Sequence, residues 1–292
     1  MVENAMSMKE KFALVTGAGS GIGKSIAKEL AIRKINTLLV ALPGEDLEKY
    51  AGELSEEYGI KTDFLEIDLS RSNGPREVYK WIILKNYSVF FLINNAGMAG
   101  TSVFHESDDK YIDDRILVNI RALTFLTRYF IPDLKKQNPS YILNVSSLSA
   151  FYSIPFKALY SSTKAFVLNF SRAIRSELRD TGIHVSVLCP NGVRTNQGTF
   201  TRIEAHGKKG KLTTISVDKV ARVAIKKCLE RKFLIIPGGV NHFLRMLSRF
   251  MPHTVEQAIL YREFYKEVKV SRKEVVEEAY SGEWEEVRSG KK

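Results

Sequence analysis

The sequence predicts an α/β fold, a parallel sheet covered by helices on both faces. Three observations carry this. Seven short apolar runs recur along roughly the first 240 residues, amphipathic stretches of helical period lie between most of them, and the first run passes straight into a glycine-rich turn. Strands buried on both faces read as near-continuous hydrophobic runs, and alternation with helices is the mark of parallel strands joined by crossovers.

"KFALVT" (11–16) reads as the first buried strand, followed by the turn and by an amphipathic helix from Ile22 to Ile32. "NTLLVA" (36–41) is the second strand, and "GEDLEKYAGELSEEYG" the helix after it. "KTDFLEIDL" (61–69) and "VFFLINNAG" (89–97) are the third and fourth strands. Helical patterns fill 107–137, "YILNVSS" (141–147) is a strand, a helix covers about 159–180, and "HVSVLCP" (184–190) is a strand. A helix near 217–231 precedes the last short strand, "FLIIPG" (233–238). The expected organisation is one doubly wound domain over residues 9–240 with a helical extension over 241–292.

Composition sets the outer bounds. A chain of 292 residues with 44% hydrophobic and 26% charged residues fits a globular protein with a sizeable core. Cys189 and Cys228 make neither a disulfide framework nor a metal cluster, so no metal is expected and a reducing compartment is the simplest reading. "MVENAMSMKEKFALVTG" has no long apolar core, so no signal peptide is expected, and no run is long enough to span a membrane. The expected location is cytoplasmic, with the periphery of a membrane as the alternative. The net charge of +11 is uneven: residues 201–292 hold 20 Lys and Arg against 12 Asp and Glu. Such a basic stretch attracts nucleic acid, anionic lipid or phosphorylated small molecules, but no nucleic-acid module is present, and no such partner is expected.

Two motifs carry chemistry. "TGAGSGIG" (16–23) lies between a strand and a helix, the context that turns a glycine pattern into a diphosphate site. Gly17 permits the sharp turn, Gly21 the close approach of an anion, and Gly23 close helix–sheet packing. The helix N-terminus, with Ser20 and Ile22, supplies N–H groups and a positive dipole end. Further on, "YSSTK" sets Tyr160 and Lys164 four residues apart, on one helical face. An ammonium there favours the phenolate and pulls its pKa down from about 10, towards the range where proton transfer works near neutrality.

With "TGAGSGIG", "NNAG" (94–97) and "YSSTK" in that order, the chain resembles the short-chain dehydrogenases/reductases over about residues 9–240. The resemblance implies a Rossmann-type sheet of about seven parallel strands and hydride transfer between NAD(P)(H) and an alcohol or carbonyl. It implies Tyr160 as acid/base, Lys164 as its partner and a ligand of the nicotinamide ribose, Ser147 as the hydroxyl on the substrate oxygen, and Asn119 as the holder of a relay water. It further implies that Asn94, Ala96 and Gly97 lie under the adenosine half and brace the sheet, that Asp68 contacts the adenine amino group, and that Pro190, Val193 and Thr195 meet the nicotinamide side. Association as a homodimer or homotetramer through the helices at 107–137 and 159–180 also follows from it.

Several positions depart from the family pattern. Ala122 replaces a usual glycine, and Asn191 stands where glycine is usual, although Asn tolerates left-handed backbone angles. The second strand ends in Ala41, Leu42 and Pro43, with neither the carboxylate of NAD-dependent relatives nor the cation of NADP-dependent ones. With no carboxylate to repel a 2′-phosphate, and Lys24 as a candidate cation, the expectation leans to NADP(H). In "IIPGGVNHFLRMLSRFMP", Val240, Phe243, Leu244, Leu247, Phe250 and Met251 fall on one helical face, with Arg245, Ser248 and Arg249 on the other. Such a helix either packs beside the substrate cleft or a subunit, or lies on an anionic membrane surface.

This tail, with "ALYSSTKAFVLNFSRAIRSEL", is similar to the branch of 3-ketoacyl reductases and hydroxysteroid dehydrogenases, which implies a hydrophobic ketone or secondary alcohol as substrate. Residues 196–215 lie where the family has its substrate-covering loop; His206 and "GKKGK" there read as solvated loop residues, with a coenzyme A or phosphopantetheine phosphate as the alternative ligand of the lysines. The rival functional readings are a nucleotide-sensing binding protein without useful catalysis and a peripheral membrane-associated reductase.

Overall fold

The structure, a computed structural model, describes residues 10–193, 214–248 and 250–269. Seven parallel strands form one sheet in the order β3-β2-β1-β4-β5-β6-β7. They are β1 (Lys11–Thr16), β2 (Asn36–Ala41), β3 (Thr62–Glu66), β4 (Ser88–Asn94), β5 (Ser140–Val145), β6 (Ile183–Leu188) and β7 (Leu234–Ile235). Each apolar run read from the sequence is a strand, but the third to seventh runs lose residues to the loops at their ends. Those lost C-terminal residues are the ones that build the site.

The helices are α1 (Gly21–Ile32), α2 (Leu47–Tyr58), α3 (Gly74–Leu84), α4 (Asp109–Ile116), α5 (Leu123–Leu134), α6 (Ala158–Glu177), α7 (Val217–Leu229) and α8 (Gly239–Ser248), followed by a C-terminal helix at 253–269. Helix α3 is absent from the sequence reading. Val78 and Ile82 make its buried stripe, but Ile83 and Leu84 are exposed and blur the period.

Alternation along the central strand sorts side chains into two cores. Ala13 and Val15 point to one face, against Ile26 and Leu30 of α1 and Val220 and Ala224 of α7. Phe12 and Leu14 point to the other, against Val78 and Ile82 of α3 and Leu126 and Phe130 of α5. Leu14, Ile26 and Leu30 are fully buried, each contributing about 1.5–3 kcal/mol by leaving water. The order reverses between β1 and β4, so the crossovers diverge there and leave a crevice at the strands' carboxyl ends, where open α/β sheets bind ligands.

A π turn at Leu117–Ala122 joins α4 to α5, and Asn119 sits inside it. Such turns concentrate at functional sites.

Candidate active site

The first half of the site is the glycine turn at the mouth of that crevice. Gly17 has φ +63°, and a Cβ on it would stand 2.9 Å from the Ala96 Cα and from the Asn95 amide nitrogen. A Cβ on Gly23 would run into the Gly17 carbonyl oxygen and the same Asn95 amide. Asn95 explains both restrictions: its Nδ2 donates to the carbonyls of Thr16 (2.9 Å) and Gly17 (3.0 Å). Thr16 Oγ1 in turn accepts from the N–H groups of Asn95 and Ala96, at 3.0 and 3.1 Å. Ser20 caps α1 with no side-chain hydrogen bond, so the helix's first N–H groups are left for an anion. A turn pinned this closely fits a dinucleotide diphosphate. The sequence reading missed Asn95, the second asparagine of "NNAG", because it credited the motif's other residues.

The second half forms where β4, the π turn and α6 converge. A Cβ on Gly97 would lie 3.1 Å from Lys164 Nζ and 3.2 Å from Asn119 Oδ1, so the three segments meet at one point. Lys164 is 5% exposed and its Nζ donates to the Val145 carbonyl at 3.0 Å. Burial pushes its pKa down from 10.5 to about 8, opposed by the thiol of Cys189. The ammonium stands 5.9 Å from the centre of the Tyr160 ring, as the four-residue spacing requires. Asn119 makes three bonds: Oδ1 accepts from Met98 N (2.7 Å), and Nδ2 donates to Met98 O (2.9 Å) and Thr163 Oγ1 (3.0 Å). Ser147 follows β5, with its Oγ accepting from Ser149 N at 3.1 Å, and Ser146 Oγ donates to the Lys164 carbonyl at 2.7 Å.

The other described sequence candidates lie around these two halves. Asn94 is 3% exposed and donates inward to Thr127 Oγ1 (3.0 Å) and Asn144 Oδ1 (2.8 Å), so its side chain braces β4 against β5 and α5. Burial raises the Asp68 pKa, but hydrogen bonds from Ser70 Oγ and N bring it below the usual carboxylate value. Pro190 O accepts from Leu148 N at 2.8 Å, and Val193 bridges to Ile215. Asn191 is not among the residues with positive φ; its Nδ2 donates instead to Asn241 Oδ1 at 2.9 Å and ties the turn after β6 to α8. Thr195, His206 and the "GKKGK" run lie outside the described residues.

At the adenosine end, Lys24 stacks on the Tyr50 ring, 4.4 Å from its centre. The Glu45 side chain lies across Gly19, so that a Cβ there would run into its carboxylate. Burial raises the Glu45 pKa, and the Glu66 charge adds to the rise.

The family model for short chain dehydrogenases matches residues 11–205. The chain belongs to the short-chain dehydrogenase family. It is 36% identical over 198 residues to a very-long-chain 3-oxoacyl-CoA reductase of Anas platyrhynchos, covering 65% of this chain and 62% of that protein. It is 34% identical over 197 residues to hydroxysteroid dehydrogenase-like protein 1 of Gallus gallus, covering 66% and 59%. The match thus spans about three fifths of those relatives. A short-chain dehydrogenase from Sphingobium yanoikuyae, solved in complex with NADPH, superposes with a TM-score of 0.70 at 29% identity, covering 83% of this chain and 96% of that one. Among the described residues, no helix is long and apolar enough to cross a membrane, and no His, Cys, Asp and Glu group is arranged to hold a metal ion.

Proposed function

We propose that this short-chain dehydrogenase interconverts a hydrophobic ketone and its secondary alcohol, 3-ketoacyl- or steroid-like in shape, with Tyr160 as acid/base. The observation that carries the reading is the meeting of Lys164 and Asn119 at Gly97, with Tyr160 one turn before the lysine. A bound nicotinamide supplies or accepts the hydride. Tyr160 gives its phenolic proton to the carbonyl oxygen in reduction and takes it back in oxidation. Lys164, charged below about pH 8, favours the phenolate by its field. The Ser147 hydroxyl donates to the same oxygen and stabilises charge building there. Asn119 holds the Met98 backbone and Thr163, and so fixes the floor beneath the reacting groups. Phe104, Tyr111 and Leu159 line the same small hollow as Tyr160 and suit an apolar substrate, in keeping with the relatives' names.

The test is Tyr160→Phe, assayed on a panel of aromatic and long-chain ketones. Turnover is expected to vanish while the nucleotide still binds; a variant as active as the parent would remove Tyr160 from this role, and a parent inert on every carbonyl would favour a nucleotide-sensing protein.

On cofactor choice, the engaged Lys24 and the carboxylate over Gly19 favour the dinucleotide without a 2′-phosphate, against the lean of the sequence. Fluorescence titration with NADH and NADPH decides it; tighter NADPH binding would sink this assignment.

A second reading concerns α8, which is inverted. Its polar face turns inward: Asn241 is buried, Arg245 lies 4.1 Å from the centre of the Phe151 ring, and Ser248 Oγ is 3.0 Å from Tyr152 OH. Phe243, Met246 and Leu247 are more than half exposed. That supports contact of an apolar face with a membrane surface and peripheral localisation. Co-sedimentation with phosphatidylserine vesicles, lost on Phe243→Ser with Leu247→Ser, tests it. Association as a homodimer or homotetramer is the further expectation, supported by the outward rings Phe125, Tyr129, Phe166 and Phe170.

A further inference from the structure

We propose that Glu267, on the C-terminal helix, is a positioning residue for Tyr160. The proposal rests on the acid/base reading of that tyrosine. Glu267 is 2% exposed, and its Oε2 lies 2.8 Å from Lys157 Nζ while accepting from Thr101 Oγ1 at 2.6 Å. Those two partners come from different walls of the substrate side. Thr101 belongs to the loop after β4 that carries Gly97 and Met98. Lys157 immediately precedes α6, and its carbonyl accepts from Ser161 N (2.8 Å) and Ser161 Oγ (3.0 Å), closing the helical turn that holds Tyr160. One carboxylate therefore joins the floor loop to the turn bearing the phenol.

The segment it grips is held in an unfavourable conformation. Phe156, next to Lys157, has φ +63°, a left-handed angle that bulky side chains rarely adopt. Its carbonyl accepts from Ser102 N at 2.8 Å, and its ring packs against Tyr261 and Tyr265 at centre distances of 5.2 and 5.7 Å. Gln257 Nε2 adds a bond to the Ser153 carbonyl at 2.8 Å. Backbone held in such a state persists only where its surroundings over-determine it, and such residues gather at working sites. The aromatic packing alone would anchor the helix. A buried charge adds what packing does not, a fixed distance between two points, and it is costly to keep for stability alone.

The experiment compares Glu267→Gln, Lys157→Arg and the double variant Lys157→Met with Glu267→Leu, all in the full chain. Gln keeps the shape and the Thr101 bond but loses the charge. Its kcat on an aromatic ketone is expected to fall about tenfold to a hundredfold, as for a misplaced reacting group, with KM for the ketone and Kd for NADH unchanged. Amide exchange is expected to quicken only in 98–104 and 158–161. Lys157→Arg, which keeps the charge, stays near the parent, and the double variant folds yet turns over slowly. Should Gln destabilise the fold, the double variant decides the matter. Parent-like kcat in either charge-free variant, or exchange unchanged in those segments, overturns the proposal. Because exchange is read without substrate, it tests the clamp even if Tyr160→Phe proves active.

Discussion

Replacing Lys164 by Met separates what the lysine costs from what it does. Its pKa falls from 10.5 to about 8 on burial. At 1.36 kcal/mol per unit, that is a burial cost of about 3 kcal/mol. Below pH 8 the lysine is charged in folded and unfolded chains alike, so the cost is present in full. Between pH 8 and 10.5 the unfolded chain keeps a proton that the folded chain has released, and stability rises with pH. Above 10.5 the cost is gone. The variant avoids this cost but orphans the Val145 carbonyl, a loss of about 1–3 kcal/mol. Lys164→Met is therefore expected to be about 1 kcal/mol more stable than the parent at pH 7 and about 2 kcal/mol less stable at pH 10.5. Turnover at pH 7 should fall by about 10²–10⁴, and the difference should narrow towards pH 10.5, where the parent's lysine has itself lost its charge. Urea unfolding of the two proteins across pH 7–10.5 measures the difference, in which titrations common to both cancel. A gap that stays constant across that range would refute the buried charge.

Two further outcomes follow from the glycine turn and the π turn. Gly23→Ala drives a methyl into the Gly17 carbonyl and the Asn95 amide; NADH and NADPH binding should be lost, with a stability cost of about 1–3 kcal/mol, measured by fluorescence titration and thermal melting. Asn119→Ala leaves the Met98 N–H and carbonyl without their side-chain partners, at about 0.5–1.5 kcal/mol for each bond lost, so melting temperature and kcat should drop together; a variant with both unchanged would show that the π turn does not support the site.

The fold was largely legible because parallel strands announce themselves as apolar runs, and the phosphate turn because its glycines are forced by close contacts. The pairing of Tyr160 with Lys164 was legible for the same kind of reason: a fixed helical spacing sets the distance. What escaped depends on partners distant in sequence. Asn94 and Asn95 are adjacent and alike, yet one faces the sheet interior and the other the glycine turn, and only the end of β4 decides which. Helix α8 has the helical period read from its sequence, but a period cannot say which face turns inward. Arg245 and Ser248 found Phe151 and Tyr152, and the apolar face was left outside. Glu267 reads as one more acid in a charged helix until Lys157 and Thr101, more than a hundred positions earlier, are set beside it.

The π turn between α4 and α5 also changes the phase of a helix. Each residue of an α-helix advances the face by about 100°, so one extra residue in a turn rotates everything downstream by more than a quarter of a revolution. Before the turn, Arg115 points at the loop after β4 and donates to the Ala99 carbonyl at 2.9 Å. After it, Leu126, Phe130 and Leu134 point into the sheet core. A straight helix cannot serve both directions with those residues. Deleting a single residue between 117 and 122 would restore regular geometry while turning either the site face or the core face away from its partner. Any redesign that idealises this helix would thus exchange the geometry around Asn119 for regularity.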